Sequence, residues 1–242
     1  MANKILLGLT TTSGSDYKAK IDEAEALGIE EVALFLSGVG LEKRKELYRL
    51  LENSSIKSIP HVHLRDDMLL WELEYLEKKF AVKVFNIHNK NDVRNFSGFD
   101  FGRYRDRTYV ENSISADSIP DEEELENFAG LCIDFSHWQD AITLGVESYD
   151  GEIRKMARKF PIGCAHISAV GAKISGSRDA TFPDIVYSHY SKHFFDDLDE
   201  FDYLGKYVGF IPELVSLELE NSFEEQLEAK GYIEKIIQGN KE

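Results

Sequence analysis

Leu131-Cys132-Ile133-Asp134 is a short apolar run closed by a carboxylate, and it is one of a series. Before it come Ile59-Pro60-His61-Val62-His63, Val84-Phe85-Asn86-Ile87-His88 and Thr108-Tyr109-Val110-Glu111. After it come Ile162-Gly163-Cys164-Ala165-His166 and Leu214-Val215-Ser216-Leu217-Glu218-Leu219-Glu220. Runs of this length and character read as buried parallel strands. Each ends on an acid or a histidine. With 4–9 and 31–36 added, the sequence predicts eight strands: 4–9, 31–36, 57–63, 82–88, 108–111, 131–134, 162–166 and 214–220.

Helical spacing fills the gaps between them. Helices are predicted over 15–27, stopped by Gly28, and over 41–51, 68–80, 122–128, 151–160 and 223–237. A further short helix is expected near Val93, and 168–183 reads as a long loop. The chain shows no repeat, no low-complexity segment and no Pro/Gly-rich linker, so residues 1–242 read as one α/β domain. Open doubly wound sheets and closed barrels both alternate in this way. Eight βα units in 242 residues favour the closed (β/α)8 TIM barrel, which typically takes about 250.

Composition narrows the function. A formal charge of −16 repels polyanions and argues against a nucleic-acid partner. No apolar run approaches the roughly 20 residues of a membrane span. The N-terminal apolar stretch, Ile5 to Leu9, reads as a first strand rather than a signal peptide, and the cytoplasm is the expected compartment. The two cysteines, Cys132 and Cys164, sit inside predicted strands and read as small packing residues rather than a disulfide or metal pair. No dinucleotide fingerprint, Walker motif, nucleophile elbow or CxxC is present.

The strand ends carry the chemistry. Polar groups at the C-terminal ends of barrel strands converge on the mouth, and strands five to eight present Glu111, Asp134, His166 and Glu218 there. A single acid at a strand end is more often a turn residue or helix cap than a ligand. Three acids and a histidine in successive apolar settings are another matter. Burying them unpaired costs several kcal/mol, and one divalent cation (Mn, Mg, Co or Zn) would meet the need of all four. His137 follows Asp134 by three residues and faces the same ligand or a bound substrate. Period-two alternation places Glu220 on the face of Glu218, and His61 on the face of His63. His88 ends the fourth strand, and His189 belongs to a looser outer ring. Lys173 and Arg178 could grip a phosphate or carboxylate, though long surface side chains read equally well. Asp121–Glu124 reads as a helix N-terminus, and the acids of 196–202 as a solvated face. Ile233, Ile236 and Ile237 on the last helix read as barrel-facing, and a homo-oligomer is left open.

Val110-Glu111-Asn112-Ser113, Ile133-Asp134-Phe135-Ser136-His137, Ala165-His166-Ile167-Ser168 and Ser216-Leu217-Glu218-Leu219-Glu220-Asn221 resemble the motifs of the xylose isomerase-like TIM-barrel superfamily. That superfamily holds sugar and sugar-phosphate isomerases and epimerases together with the endonuclease IV type of nuclease. The resemblance implies that Glu111, Asp134, His166 and Glu218 ligate one divalent metal. It implies that Glu111 and Glu218 exchange a proton with a small polyhydroxylated substrate through a metal-bound enediolate. By the same resemblance His63 and His88 would line the substrate and His137 would meet the substrate or a second metal; strand alternation adds Glu220, and position in the loop after strand seven adds Lys173, as substrate-binding residues. The nuclease branch adds histidines of strands three and four, here His63 and His88, and an Asp-x-His after strand seven. This chain departs from the last: Asp179-Ala180-Thr181 keeps the acid and Tyr187-Ser188-His189 the imidazole. A third reading is a barrel that binds a ligand without catalysis.

Overall fold

The structure, a computed structural model, describes residues 3–12, 15–91, 101–178 and 186–239. Its strands are β1 (Lys4–Leu6), β2 (Gly8–Thr10), β3 (Ala33–Phe35), β4 (His61–His63), β5 (Val84–His88), β6 (Thr108–Glu111), β7 (Leu131–Asp134), β8 (Ile162–Ile167), β9 (Ala169–Arg178), β10 (Val186–Lys192) and β11 (Leu214–Leu217). Nine of them form one parallel sheet in the order β1-β11-β8-β7-β6-β5-β4-β3-β2. The two ends of that order, β1 and β2, are consecutive pieces of one segment broken only at Leu7. Nine pieces are therefore eight strands, and the sheet closes on itself. The chain is a TIM barrel.

The predicted helices α1 (Tyr17–Leu27), α2 (Leu41–Glu52), α3 (Leu70–Phe80), α4 (Glu122–Glu126), α6 (Tyr149–Lys159) and α7 (Phe223–Gly239) are present, and α5 (Phe135–Thr143) joins them. Residues alternate across each strand. Val62, Ile87, Val110, Ile133, Ala165 and Val215 belong to the core cluster that includes the helices' apolar faces. Their neighbours in sequence, His61 and His63, Asn86 and His88, Glu111, Cys132 and Asp134, Cys164 and His166, share the opposite, barrel-lining face. Gly28 stops α1 with φ 67°, a left-handed conformation that favours glycine. Ile233 and Ile237 are buried and Ile236 packs against the core, as their spacing predicts.

The seam of the barrel is made partly by side chains. β1 pairs with β11 as far as Leu6 opposite Ser216, and β2 pairs with β3 from Gly8 onward. Where the ladder to β11 lapses, Gln226 of α7 takes its place. Its Oε1 accepts from Gly8 N at 2.7 Å, and its Nε2 donates to the carbonyls of Gly8 and Leu219 at 3.1 and 3.0 Å. A Cβ on residue 8 would lie 1.9 Å from the Leu217 carbonyl oxygen, so the approach admits only glycine.

Two segments differ from the sequence reading. The predicted loop after β8 is, over its described part, the strand β9, paired antiparallel with β10. The segment after β7 is helical from Phe135, because Asp134 caps it: Oδ1 accepts from His137 N at 2.9 Å. The helix expected near Val93 lies outside the described residues. The acids Asp196, Asp197, Asp199 and Asp202 are exposed, as expected, while Phe201 and Leu204 of the same 3₁₀ segment, Leu198–Lys206, are buried. No helix among the described residues is long and apolar enough to cross a membrane.

Candidate metal centre

Glu111 at the end of β6, Asp134 at the end of β7, His166 on β8 and Glu218 just past β11 meet at the C-terminal mouth, each offering a ligand atom within 4.8 Å of the others. All four are buried, Glu111, Asp134 and His166 completely and Glu218 to 6% exposure. His166 Nδ1 lies 3.3 Å from Glu111 Oε1 and 3.4 Å from Glu218 Oε2. These are charge-attraction distances without hydrogen-bond alignment. Among the described residues, Glu111 Oε1, Asp134 Oδ2 and both ring nitrogens of His166 have no hydrogen-bond partner. Buried polar atoms are otherwise almost always satisfied.

The oxygens that do have partners explain how the cluster is aimed. Glu111 Oε2 accepts from Asn86 Nδ2 at 2.5 Å and lies 3.1 Å from His63 Nε2, which leaves Oε1 turned to the cluster. Asp134 Oδ1 is taken by Ser136 Oγ at 2.6 Å and by the helix cap, which leaves Oδ2. Asp134 is thus both a cap and a member of the site. Asn112 fixes the spacing of β6 and β7: its Oδ1 accepts from Asp134 N and its Nδ2 donates to Asp134 O.

The electrostatics follow from crowding three carboxylates around imidazoles. Burial opposes the imidazolium of His166, but Glu111, Glu218 and Asp134 outweigh it and raise its pKa from 6.5 to about 10. His137 is raised to about 9, again against burial, chiefly by Asp134 and Glu111. Burial would raise Glu111, yet the surrounding His166, His88 and His63 hold it well below the usual carboxylate range. Glu218 is lowered against burial by His193, His166 and His63. Without a cation, a proton on His166 supplies the positive charge this site requires.

An outer ring of imidazoles surrounds the four. His63 donates from Nδ1 to the Leu64 carbonyl at 3.0 Å, so its Nε2 is the atom facing Glu111, and it also groups with Glu111 and His166. His88, 41% exposed, stands 3.7 Å from Glu111 Oε1. His137 Nδ1 is 3.6 Å from Asp134 Oδ2 and donates to the Asn112 carbonyl at 3.1 Å. A cavity of about 310 Å³ opens beside it, lined by Ile114, His137, His189, Ser191, Lys192 and His193. The β9–β10 hairpin brings His189 there; Asp140 of α5 anchors it by accepting from Tyr190 N at 2.7 Å and Ser191 N at 3.0 Å.

Three expected site residues are not gathered in this way. Glu220 accepts from the Thr12 hydroxyl instead, because the strand ends at Leu217 and period-two alternation no longer applies. Lys173 lies exposed on β9, and His61 sits inside the barrel rather than at its mouth, bonded to Ser216 and Asn86. The side chain of Arg178 and the Asp179-Ala180-Thr181 segment lie outside the described residues. Sequence reading passed over Asn86 and His193, whose Nε2 is 3.8 Å from Glu218 Oε1. An asparagine in the middle of a buried apolar strand, two residues before His88 and so on its face, was the available signal for Asn86.

Fold and site together define a closed α/β barrel with a buried carboxylate–imidazole cluster that could bind a metal. No protein-family model and no curated protein sequence matches the chain. Among solved structures it is similar to a xylose isomerase domain protein from Planctomyces limnophilus, at 13% identity over 98% of this chain and 99% of that one, with a TM-score of 0.49. It is likewise similar to a xylose isomerase domain protein from Alicyclobacillus acidocaldarius subsp. acidocaldarius, at 14% identity over 100% of both chains and a TM-score of 0.49. A third is the IolI protein with a bound zinc atom, at 14% identity over 98% of this chain and 96% of that one, TM-score 0.46.

Proposed function

We propose that this chain is a divalent-cation-dependent isomerase or epimerase of a small polyhydroxylated substrate, a sugar or sugar phosphate. The observation that supports this reading is the set of unpartnered buried atoms, Glu111 Oε1, Asp134 Oδ2 and both nitrogens of His166, beside Glu218. Glu111, Asp134, His166 and Glu218 would hold the cation, and three carboxylates with one imidazole suit Mn, Mg, Co or Zn. When bound, it would polarise a substrate carbonyl and acidify the neighbouring C–H.

The rest falls to side chains of the barrel. Glu111 and Glu218 take and return the proton as general bases. Asn86 holds Glu111 in one rotamer, with Oε2 occupied and the buried Oε1 turned to the cluster. His88 and His137 donate to substrate hydroxyls, His63 stands behind them with Nε2 against Glu111, and the 310 Å³ cavity beside His137 takes the remainder of the molecule. Glu220 and Lys173 stay outside this set.

The test incubates cation-loaded protein with a panel of aldoses, ketoses and their phosphates in heavy water. Deuterium entering at the carbon beside the carbonyl is read by NMR. Glu111→Gln and Glu218→Gln should each slow exchange by about 100-fold or more. Exchange at the wild-type rate in both variants would contradict the assignment, as would no exchange with any member of the panel. One observation favours a second reading, metal-dependent phosphodiester hydrolysis. His137 and His189 each donate Nδ1 to a backbone carbonyl, which leaves Nε2 as the nitrogen through which each would bind a cation, and both line one cavity. That reading predicts nicking of an abasic-site oligonucleotide.

A further inference from the structure

Barrel interiors are ordinarily filled by bulky branched apolar side chains. Here the interior below the mouth cluster holds His61, Asn86, Cys132, Cys164 and Ser216, every one of them buried. Cys132 and Cys164 are directly paired across β7 and β8, and each lies two residues before a member of the mouth cluster, Asp134 and His166. Two residues along a strand is about 6.6 Å, so this group forms a separate layer beneath the first. His61 joins it: the two sulfurs and a ring nitrogen of His61 all lie within 4.8 Å of one another.

The hydrogen bonds determine which nitrogen that is. The carboxylate Glu111 Oε2 needs a donor, and Asn86 Nδ2 supplies it at 2.5 Å. Asn86 must then turn Oδ1 toward His61 Nε2, 2.9 Å away, so that nitrogen carries the proton. His61 Nδ1 is left with the lone pair, on the side of Ser216, whose hydroxyl stands 2.7 Å from it. Ser216 belongs to β11, the neighbour of the strand that carries Cys164. An imidazole whose outer N–H is held by an oxygen, with the lone pair left on its other nitrogen, has the tautomer of a metal ligand.

We propose that Cys132, Cys164 and His61 form a second cation site, a thiolate–imidazole site for a thiophilic ion of the Zn²⁺ class, stacked beneath the oxygen-rich site at the mouth. Binding exchanges the two thiol protons for the cation, so a dication, two thiolates and a neutral imidazole leave the buried group without net charge. Tetrahedral zinc with Zn–S near 2.3 Å spans about 3.8 Å between ligands, so donors that lie within 4.8 Å of one another close by at most about 1 Å. The Ser216 hydroxyl gives up its bond to Nδ1 when the cation takes that nitrogen. Such an ion ties β4, β7 and β8 together. Through Asn86 it also fixes the floor on which Glu111 stands.

The test is a Co²⁺ titration of the full chain, reduced and freed of metal. Cobalt bound by thiolate gives intense near-ultraviolet sulfur-to-metal charge transfer, and cobalt bound by carboxylate and imidazole does not. The chain has only two cysteines, so any such band arises from this pair. The expected result is the band in wild type, its loss in Cys164→Ser, and its retention in Glu111→Gln and Glu218→Gln. Cobalt uptake without the band overturns the proposal and leaves the mouth site standing. The band without the further uptake that Glu111→Gln abolishes refutes the mouth site instead. Should Cys164→Ser fail to fold, thiol alkylation of the wild type decides: Zn²⁺ should slow it by about tenfold or more, and an unchanged rate would overturn the site.

Discussion

Cation binding at the mouth should expel protons from the protein, and the structure sets how many. His166 has its pKa raised to about 10, and His137 to about 9, by the carboxylates Glu111, Asp134 and Glu218 against the pull of burial. A cation competes with those imidazolium protons for the same carboxylates, and at His166 for the ring nitrogen itself. His166 must lose its proton to ligate. His137 loses the carboxylate charge that sustains its own, so a second proton follows in part. Between about pH 6 and about pH 8, below both raised values, each proton released strengthens binding tenfold per pH unit, about 1.4 kcal/mol. Affinity should therefore rise by about 100-fold over that interval for one proton, and approach about 10⁴-fold for two. Isothermal titration calorimetry with Mn²⁺ or Zn²⁺, repeated in buffers of different ionisation enthalpy, measures both quantities. Cys132→Ser protein isolates the mouth site from the thiols. An affinity flat across the interval, with a heat independent of buffer, would refute the competition between cation and His166 proton.

Other consequences can be checked on the same protein. A cation at about 100 times its Kd adds about 2.7 kcal/mol to folding, which is roughly 5–11 °C in melting temperature for a chain of this size; the gain should vanish in Glu111→Gln. Arg44 is fully buried and donates to both oxygens of Glu72, at 2.8 and 3.0 Å, while Tyr48 donates to one of them at 2.8 Å. Glu72→Ala strands that guanidinium with only Asp67 and backbone carbonyls, and should cost about 3–5 kcal/mol in denaturant titration; a change under about 1 kcal/mol would contradict the pairing. A Cβ on Gly163 would lie 2.0 Å from the Tyr109 ring. Gly163→Ala should thus destabilise by about 1–3 kcal/mol, and Tyr109→Ala in the same chain should relieve part of that loss.

What could be read from the sequence was what local pattern encodes. The runs ending at His63, His88, Glu111, Asp134 and His166 announce buried strands by composition and the mouth by their last residue, the run 214–220 carries Glu218 within it, and barrel closure brought Glu111, Asp134, His166 and Glu218 together. Where local pattern misleads, the reading failed. β9 contains Gly171, Ser175, Gly176 and Ser177, a poor strand composition; it forms because β10 pairs with it and Asp140 anchors the hairpin from another element. α5 was hidden because Asp134 reads as a strand end, although Phe135, Trp138 and Ala141 stand at helical spacing and are buried. Glu220 was misplaced by extending strand alternation beyond Leu217. The thiol–imidazole group was legible only as separate packing residues, since nothing in Cys132 or Cys164 tells which strand His61 will face.

The central claim is that Glu111, Asp134, His166 and Glu218 hold one divalent cation. Crystals grown in Mn²⁺ or Zn²⁺ and measured at the metal's absorption edge test it most directly. An anomalous peak is expected at the mouth within about 2.0–2.3 Å of Glu111 Oε1, Asp134 Oδ2, a ring nitrogen of His166 and a Glu218 oxygen. A loaded crystal with no peak there, and His166 still ion-paired to Glu111, would contradict it.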